Sequence, residues 1–277
     1  MGILVMNSDS AFYIGKTHAV CQDYAAHGIS KTGMPFAIIS DGCSSSPDTD
    51  FGSRFLVKSC ANLFTNISGY YNSLHVLIEA DAHAQDTRLP DNATDATLLT
   101  VQKLDEEVYS ISCAGDGVIA KIKKDGQIDI TQIEYSSGAP FYLSYQLSPE
   151  RTELFKQKFG LKRIIKHYSL VKGEVVDLAI EEDEDGSIYF SEEKIRDYSV
   201  LVVMSDGVLS FMETLKTDTS KVSVPVPPEK VFKEILAFKN YNGVFVQRRL
   251  QRFRKDCEER SWFSTDDVSV GAIYLGD

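Results

Sequence analysis

The chain has 277 residues, 43% of them hydrophobic and 25% charged, which is enough to bury a sizeable core in one large domain or two small ones. Its formal net charge of -11 opposes phosphate backbones, so nucleic acid is not expected as a main partner. No apolar run reaches the length of a membrane span, and no basic stretch followed by an apolar one marks a signal peptide.

Short β runs are expected at residues 3–6, 12–14, 24–29 and 34–40, separated by polar or glycine-containing turns. Asp48 or Thr49 then reads as the N-cap of a helix whose apolar face carries Phe51, Phe55, Leu56, Leu63, Phe64 and Ile67. A second helix covers 73–86, and Pro90-Asp91-Asn92 is a turn. Strands resume at 96–102, 108–114 and 118–123, and Lys124-Asp125-Gly126 joins the last of these to 128–133 as a hairpin. Pro149 opens a helix over 150–159.

Further strands are expected at 164–171, 175–180 and 187–190, with the acidic run 181–185 as a solvated loop. Residues 200–204 form a buried strand. The polar, then proline-rich stretch 217–228 reads as a loop before helices at 228–238 and 244–259. The second helix carries an apolar stripe of Val246, Leu250, Phe253 and Cys257. Its basic cluster (Arg248, Arg249, Arg252, Arg254, Lys255) is either a solvated face or a docking surface for an acidic partner. The last strand ends at Leu275. Strands grouped by hairpin signals, with helices paired between them, predict an antiparallel α+β fold. The five cysteines are odd in number and lack C-x-x-C spacing, as expected of free thiols in a reducing cytoplasm.

Two apolar runs end alike: residues 36–42 and 201–207 each deliver Ser-Asp-Gly at a strand tip. Asp41, Asp116, Asp206 and Asp266 all stand at junctions between a strand and a turn. A single Asp-Gly is usually only a turn. Four carboxylates that each abut a buried strand need a cation or hydrogen-bond donors. Ligation by oxygen alone points to magnesium or manganese rather than zinc.

The motifs also have an order. Thr17-His18 with Cys21-Gln22-Asp23, Ser40-Asp41-Gly42, Thr94-Asp95-Ala96-Thr97, Gly115-Asp116-Gly117, Ser205-Asp206-Gly207 and Asp266-Asp267-Val268 together resemble the protein phosphatase 2C family of metal-dependent Ser/Thr phosphatases. The Cys-Gln-Asp run is similar to its bacterial branch. The resemblance implies a four-layer α-β-β-α sandwich over one domain, 1–277, with two antiparallel sheets flanked by helices. It implies two or three manganese or magnesium ions. Asp41 and the Gly42 carbonyl would hold one ion, with Asp41 bridging to a second held by Asp206 and Asp266. Asp116 would share a third with Asp206. Water activated between two cations would attack the phosphoryl group in line, with no phosphoenzyme.

The resemblance breaks at three positions. His18 stands where many members carry a phosphate-binding Arg, and is either a substrate contact or a turn histidine beside the ligands. Gln22 replaces a Glu that holds a metal-bound water; it and Asp23 would support the ligands from behind. Cys43 replaces a His thought to protonate the leaving alkoxide. Tyr135, Tyr142 and Tyr145, around Gly138-Ala139-Pro140, form either a lid or core and turn aromatics. No G-x-S-x-G elbow or P-loop is present. The expectation is a cytoplasmic, monomeric phosphoprotein phosphatase acting on phosphoserine and phosphothreonine, with a cognate kinase as partner. The alternative is a weakly active or inactive module that binds a phosphoprotein or a kinase.

Overall fold

The computed structural model describes residues 6–66, 72–186, 188–195, 197–216 and 221–276. Two strands buried on both faces sit inside its two large sheets. In β3 (Pro35–Ser40), Phe36 and Ile38 face one way while Ala37 and Ile39 face the other. Side chains alternate across a strand, so burial on both faces requires an uninterrupted apolar run. Likewise, β11 (Tyr198–Met204) turns Leu201 and Val203 toward Ala37 and Ile39 and sends Val200, Val202 and Met204 the opposite way.

In the five-stranded sheet, β3 lies between β2 (Tyr24–Ile29) and β4 (Leu98–Lys103), followed outward by β5 (Val108–Ala114) and β10 (Tyr189–Lys194). The seven-stranded sheet runs in the order β1 (Asn7–Tyr13), β15 (Val268–Tyr274), β11, β6 (Gly117–Lys123), β7 (Ile128–Tyr135), β8 (Arg163–Val171) and β9 (Glu174–Asp183). Neighbours in both sheets are antiparallel. α1 (Thr49–Asn66) and α2 (Ser73–Asp86) cover the outer face of the five-stranded sheet through Leu56, Cys60, Phe64 and Leu77. α4 (Pro228–Ile235) and α5 (Phe245–Arg260) cover the seven-stranded one through Phe232, Val246, Leu250 and Phe253. The expected four-layer α-β-β-α sandwich is therefore present. A small third sheet orders β13 (Lys221–Pro225), β12 (Phe211–Lys216) and β14 (Trp262–Ser264). α3 (Pro149–Phe159) lies in the connection from β7 to β8.

Several elements differ from expectation. The run at 3–6 lies almost wholly outside the described residues, and the first strand instead passes through Asn7-Ser8-Asp9-Ser10. That polar stretch is a strand because its side chains find distant partners. Ser8 Oγ donates to the Gly28 carbonyl at 3.0 Å, and Asp9 Oδ2 accepts from the Val246 and Gln247 amides at 2.7 and 3.0 Å, capping α5. Phe51 is exposed, whereas Gly52 and Leu56 take the buried face of α1; Ile67 lies outside the described residues. The acidic run continues β9 through Asp183, beside Arg163 of β8 and with Glu182 2.8 Å from Lys162. Within 217–228, residues 221–225 form β13, and 217–220 lie outside the described residues, as does Ser187. All five cysteines are free. Among the described residues, no helix is long and apolar enough to cross a membrane.

Candidate active site

The four carboxylates singled out from the sequence line one cavity of about 330 Å³. Each reaches it from a strand end. Asp41 follows β3, where its amide donates to Thr97 Oγ1 at 3.0 Å and its carbonyl accepts from the Thr97 amide at 2.8 Å. Asp116 sits in the tight turn from β5 to β6. Gly117 there has φ +143, and a Cβ on it would meet Leu99 at 2.7 Å and the Met204 carbonyl at 2.9 Å, so only glycine fits. Asp206 follows β11 on a short 3-10 turn. A Cβ on Gly207 would lie 1.7 Å from the Asp267 carbonyl, so this glycine lets that turn pack on the residues leading into β15. Asp266 closes the ring, its amide donating to Ser210 Oγ at 3.1 Å.

The electrostatics are one-sided. Among the described residues that line the cavity, four are carboxylates and none is Lys, Arg or His. Burial, then the neighbouring Asp23 and Asp206, hold the Asp41 carboxyl well above its ordinary range. Burial raises Asp206 as well, with the Asp266 charge adding to it. Burial and the Asp206 charge push Asp116 up to about 8. Asp206 Oδ1 is buried without a hydrogen-bond partner. A ring of hard oxygen donors at mutual electrostatic cost, with one orphaned oxygen, fits a divalent cation. Among the described residues, no three His, Cys, Asp or Glu side chains stand in the geometry of a ready-made cage.

Behind the ring, Asp23 is fully buried and accepts from Ser205 Oγ at 2.8 Å; burial lifts its pKa to about 7 despite that hydrogen bond. Gln22 Nε2 donates to Thr49 Oγ1 at 2.6 Å and to the Cys43 carbonyl at 3.4 Å. His18 does not line the cavity. Its Nδ1 lies 3.1 Å from Asp267 Oδ2 and its Nε2 3.4 Å from Asp266 Oδ1. Burial works against its charge, but the close contact with Asp267 and the charges of Asp267, Asp266 and Asp23 outweigh it and raise the pKa. Sequence reading gave Asp267 no role. It is nonetheless the post to which the N-terminal loop is tied, accepting from the Gly15 amide at 2.7 Å and the Gln22 amide at 2.6 Å. The doubled Asp266-Asp267 was the available signal.

The opposite wall comes from the connection between β7 and β8. Tyr142, Tyr145, Phe155 and Phe159 face the cavity from there, whereas Tyr135 is buried in β7. Asp95 holds this wall in place. It accepts two hydrogen bonds from Arg151 Nη2, both at 2.8 Å, one from Ser144 Oγ at 2.5 Å and one from Ser46 Oγ at 3.0 Å.

The family model for protein phosphatase 2C matches residues 15–253. The chain belongs to the protein phosphatase 2C family. Solved structures of bacterial members share its fold. The serine/threonine phosphatase Stp1 from Staphylococcus aureus is 14% identical at a TM-score of 0.56, covering 99% of this chain and 96% of that one. The Mycobacterium tuberculosis phosphatase PstP/Ppp is 14% identical at a TM-score of 0.53, covering 99% and 100%. The catalytic domain of PstP in complex with two manganese ions is 14% identical at a TM-score of 0.55, with the same coverage. No curated protein matches the sequence. Protein phosphatase 2C enzymes are metal-dependent and act on phosphoproteins, and the carboxylate ring lies within this family match except for Asp266.

Proposed function

We propose that the chain is a manganese- or magnesium-dependent phosphoprotein phosphatase that hydrolyses phosphoserine and phosphothreonine. The observation that carries this reading is the cavity lined by Asp41, Asp116, Asp206 and Asp266 without a single cationic side chain among its described residues. Such a cavity repels a phosphate dianion until cations neutralise it. Asp41, the Gly42 carbonyl, Asp206 and Asp266 would hold two ions, and Asp116 with Asp206 a third. Bound there, divalent cations supply a water nucleophile near neutral pH and neutralise charge on the phosphoryl oxygens.

The chain's own residues do the rest. Asp267, clamped by His18 and the Gly15 and Gln22 amides, fixes the backbone from which Asp266 projects. Asp23 and Ser205 pack behind Asp41 and Asp206. Tyr142, Tyr145, Phe155 and Phe159 give the substrate an aromatic wall that limits water. One observation favours a second reading, a weakly active or inactive module that binds a phosphoprotein or kinase. Both ring nitrogens of His18 face carboxylates, Nδ1 toward Asp267 and Nε2 toward Asp266, so His18 is not free to grip phosphate.

Hydrolysis of p-nitrophenyl phosphate with manganese, with magnesium and with chelator separates the two. A manganese-dependent rate that falls by about a hundredfold or more in Asp41→Ala is expected. No metal-dependent rate, or one unchanged in that variant, leaves only the binding module.

A further inference from the structure

α5 departs from the pattern of an ordinary surface helix. Arg248, Arg252 and Lys255 occupy positions i, i+4 and i+7 of its exposed face, with Arg254 beside them. Like charges one turn apart repel each other. Arg248 also lies near the helix N-terminus, where the dipole disfavours cations, and the first turn holds no acidic residue. Folding compensates only in part: the Asp9 carboxylate caps the helix N-terminus, and the Arg254 guanidinium lies over the Tyr13 ring at 5.1 Å. Among the described residues, Arg252, Arg254 and Lys255 have no carboxylate in ion-pair contact, and Arg248 reaches only the neutral Asn240 Oδ1 at 2.8 Å and the Asn242 carbonyl at 2.5 Å.

Other arginines of the same helix are used differently. Arg249 is buried against Asp256 at 3.2 Å and Glu234 at 3.9 Å, and Arg260 pairs with Glu234 at 3.0 Å. Two depressions flank the unpaired ridge. One of about 200 Å³ lies between Lys239, Arg248 and Arg252, and one of about 530 Å³ runs along Arg252 and Lys255 as far as Glu258. These cations are concentrated on a chain whose net charge is -11.

We propose that this face of α5 docks an acidic polypeptide segment of a partner protein. Like charges kept together on a face where, among the described residues, no carboxylate pairs with Arg248, Arg252, Arg254 or Lys255 mark a functional surface. Guanidinium forks match carboxylates in pairs, and Arg supplies most of the ridge. From Arg248 to Lys255 the helix advances about 10 Å, the length of roughly three extended residues. That suits a short peptide segment. Long polyanions, such as duplex nucleic acid or an anionic membrane, would be repelled by the rest of this acidic molecule. The face stands apart from the carboxylate cavity and shares none of its lining residues, so docking is independent of the phosphatase reading.

Fluorescence anisotropy of a labelled Asp/Glu-rich peptide tests it on the whole chain. The wild type should bind, and more weakly as salt rises to about 0.15 M. Arg248→Gln/Arg252→Gln/Lys255→Gln should bind at least about tenfold more weakly with an unchanged circular dichroism spectrum. Arg252→Gln alone should fall between, which keeps the test decisive if the triple variant misfolds. Lys156→Gln/Lys158→Gln on α3 should bind as the wild type does. No binding at low salt, or binding undiminished by the triple substitution, overturns the proposal. So does tighter binding of an oligonucleotide or a phosphatidylserine vesicle through the same three residues.

Discussion

Cys43 lines the cavity next to Gly42, with its Sγ 3.1 Å from Ser45 Oγ, at the place where His-bearing relatives would offer a proton donor. A phenolate leaves without help, whereas a serine alkoxide needs a proton. Turnover should therefore favour aryl over alkyl phosphates. Cys43→His should raise phosphoserine-peptide turnover by about tenfold or more and aryl phosphate turnover far less; equal gains on both would refute the assignment. Away from the site, Asp129 shows how a single carboxylate contributes to stability. Ser169 Oγ at 2.7 Å, Gln127 Nε2 at 2.9 Å, Tyr198 Oη at 3.0 Å and Lys123 Nζ at 3.2 Å surround it. Burial works to raise its pKa, but these donors win and hold it below the ordinary range. A depressed folded-state pKa gives stability that is present above the unfolded value, about 3.9, and is lost as pH falls through the folded one. Asp129→Asn should cost about 1–3 kcal/mol near neutral pH and little in strong acid. Urea titrations at the two pH values check this, and a gap independent of pH would exclude it.

Among the elements, the connection between β7 and β8 is tied down by a distant contact, Arg151 to Asp95. Its aromatic rings pack on one another, Tyr145 and Phe155 at 4.9 Å and Phe141 and Phe155 at 5.3 Å between centroids. That cluster makes the wall coherent, and Asp95 with Arg151 places it over the cavity. Arg151→Ala leaves a buried carboxylate without its cation, so the wall should loosen. KM for a phosphopeptide should rise several-fold with a smaller change in kcat, and amide exchange should quicken across 138–159. Unchanged exchange there would show that the clamp does not hold the wall. The pairing was not legible beforehand: Asp95 and Arg151 are 56 positions apart, and neither breaks a local pattern. By contrast, α5's apolar stripe of Val246, Leu250, Phe253 and Cys257 was legible, because helical period alone brings those residues to one face.

At the scale of the molecule, both sheets contribute to the carboxylate ring. Asp41 comes from the five-stranded sheet, Asp206 and Asp266 from the ends of β11 and β15 in the seven-stranded one, and Asp116 from the turn crossing between them. The layer of Ile39, Leu99, Leu201 and Val203 sets how closely these ends approach. Cations in the cavity would offset repulsion between the sheets and bind only the folded state. Manganese at about a hundred times its Kd should then add about 2.7 kcal/mol of stability, seen as a raised Tm. Asp41→Asn should raise the Tm of the metal-free protein, by removing one repelling charge, and shrink the manganese shift. A Tm indifferent to manganese in the wild type would count against a cation site.

The sequence by itself determined the two-faced strands, the amphipathic helices and the four carboxylates at strand ends. These follow from periodicity and from motif order, which are properties of neighbouring residues and their succession along the chain. Only the tertiary structure decided that polar Asn7–Ser10 is a strand, that the acidic run extends β9, and that 221–225 pairs with β12. In each case the deciding partner lies across a sheet, and a strand's hydrogen bonds are satisfied by whichever segment arrives beside it. The same holds at the site. Local sequence put each carboxylate at a strand tip, but the packing of one sheet on the other brought them to one cavity, turned His18 toward Asp266 and Asp267, and closed the far side with aromatic rings.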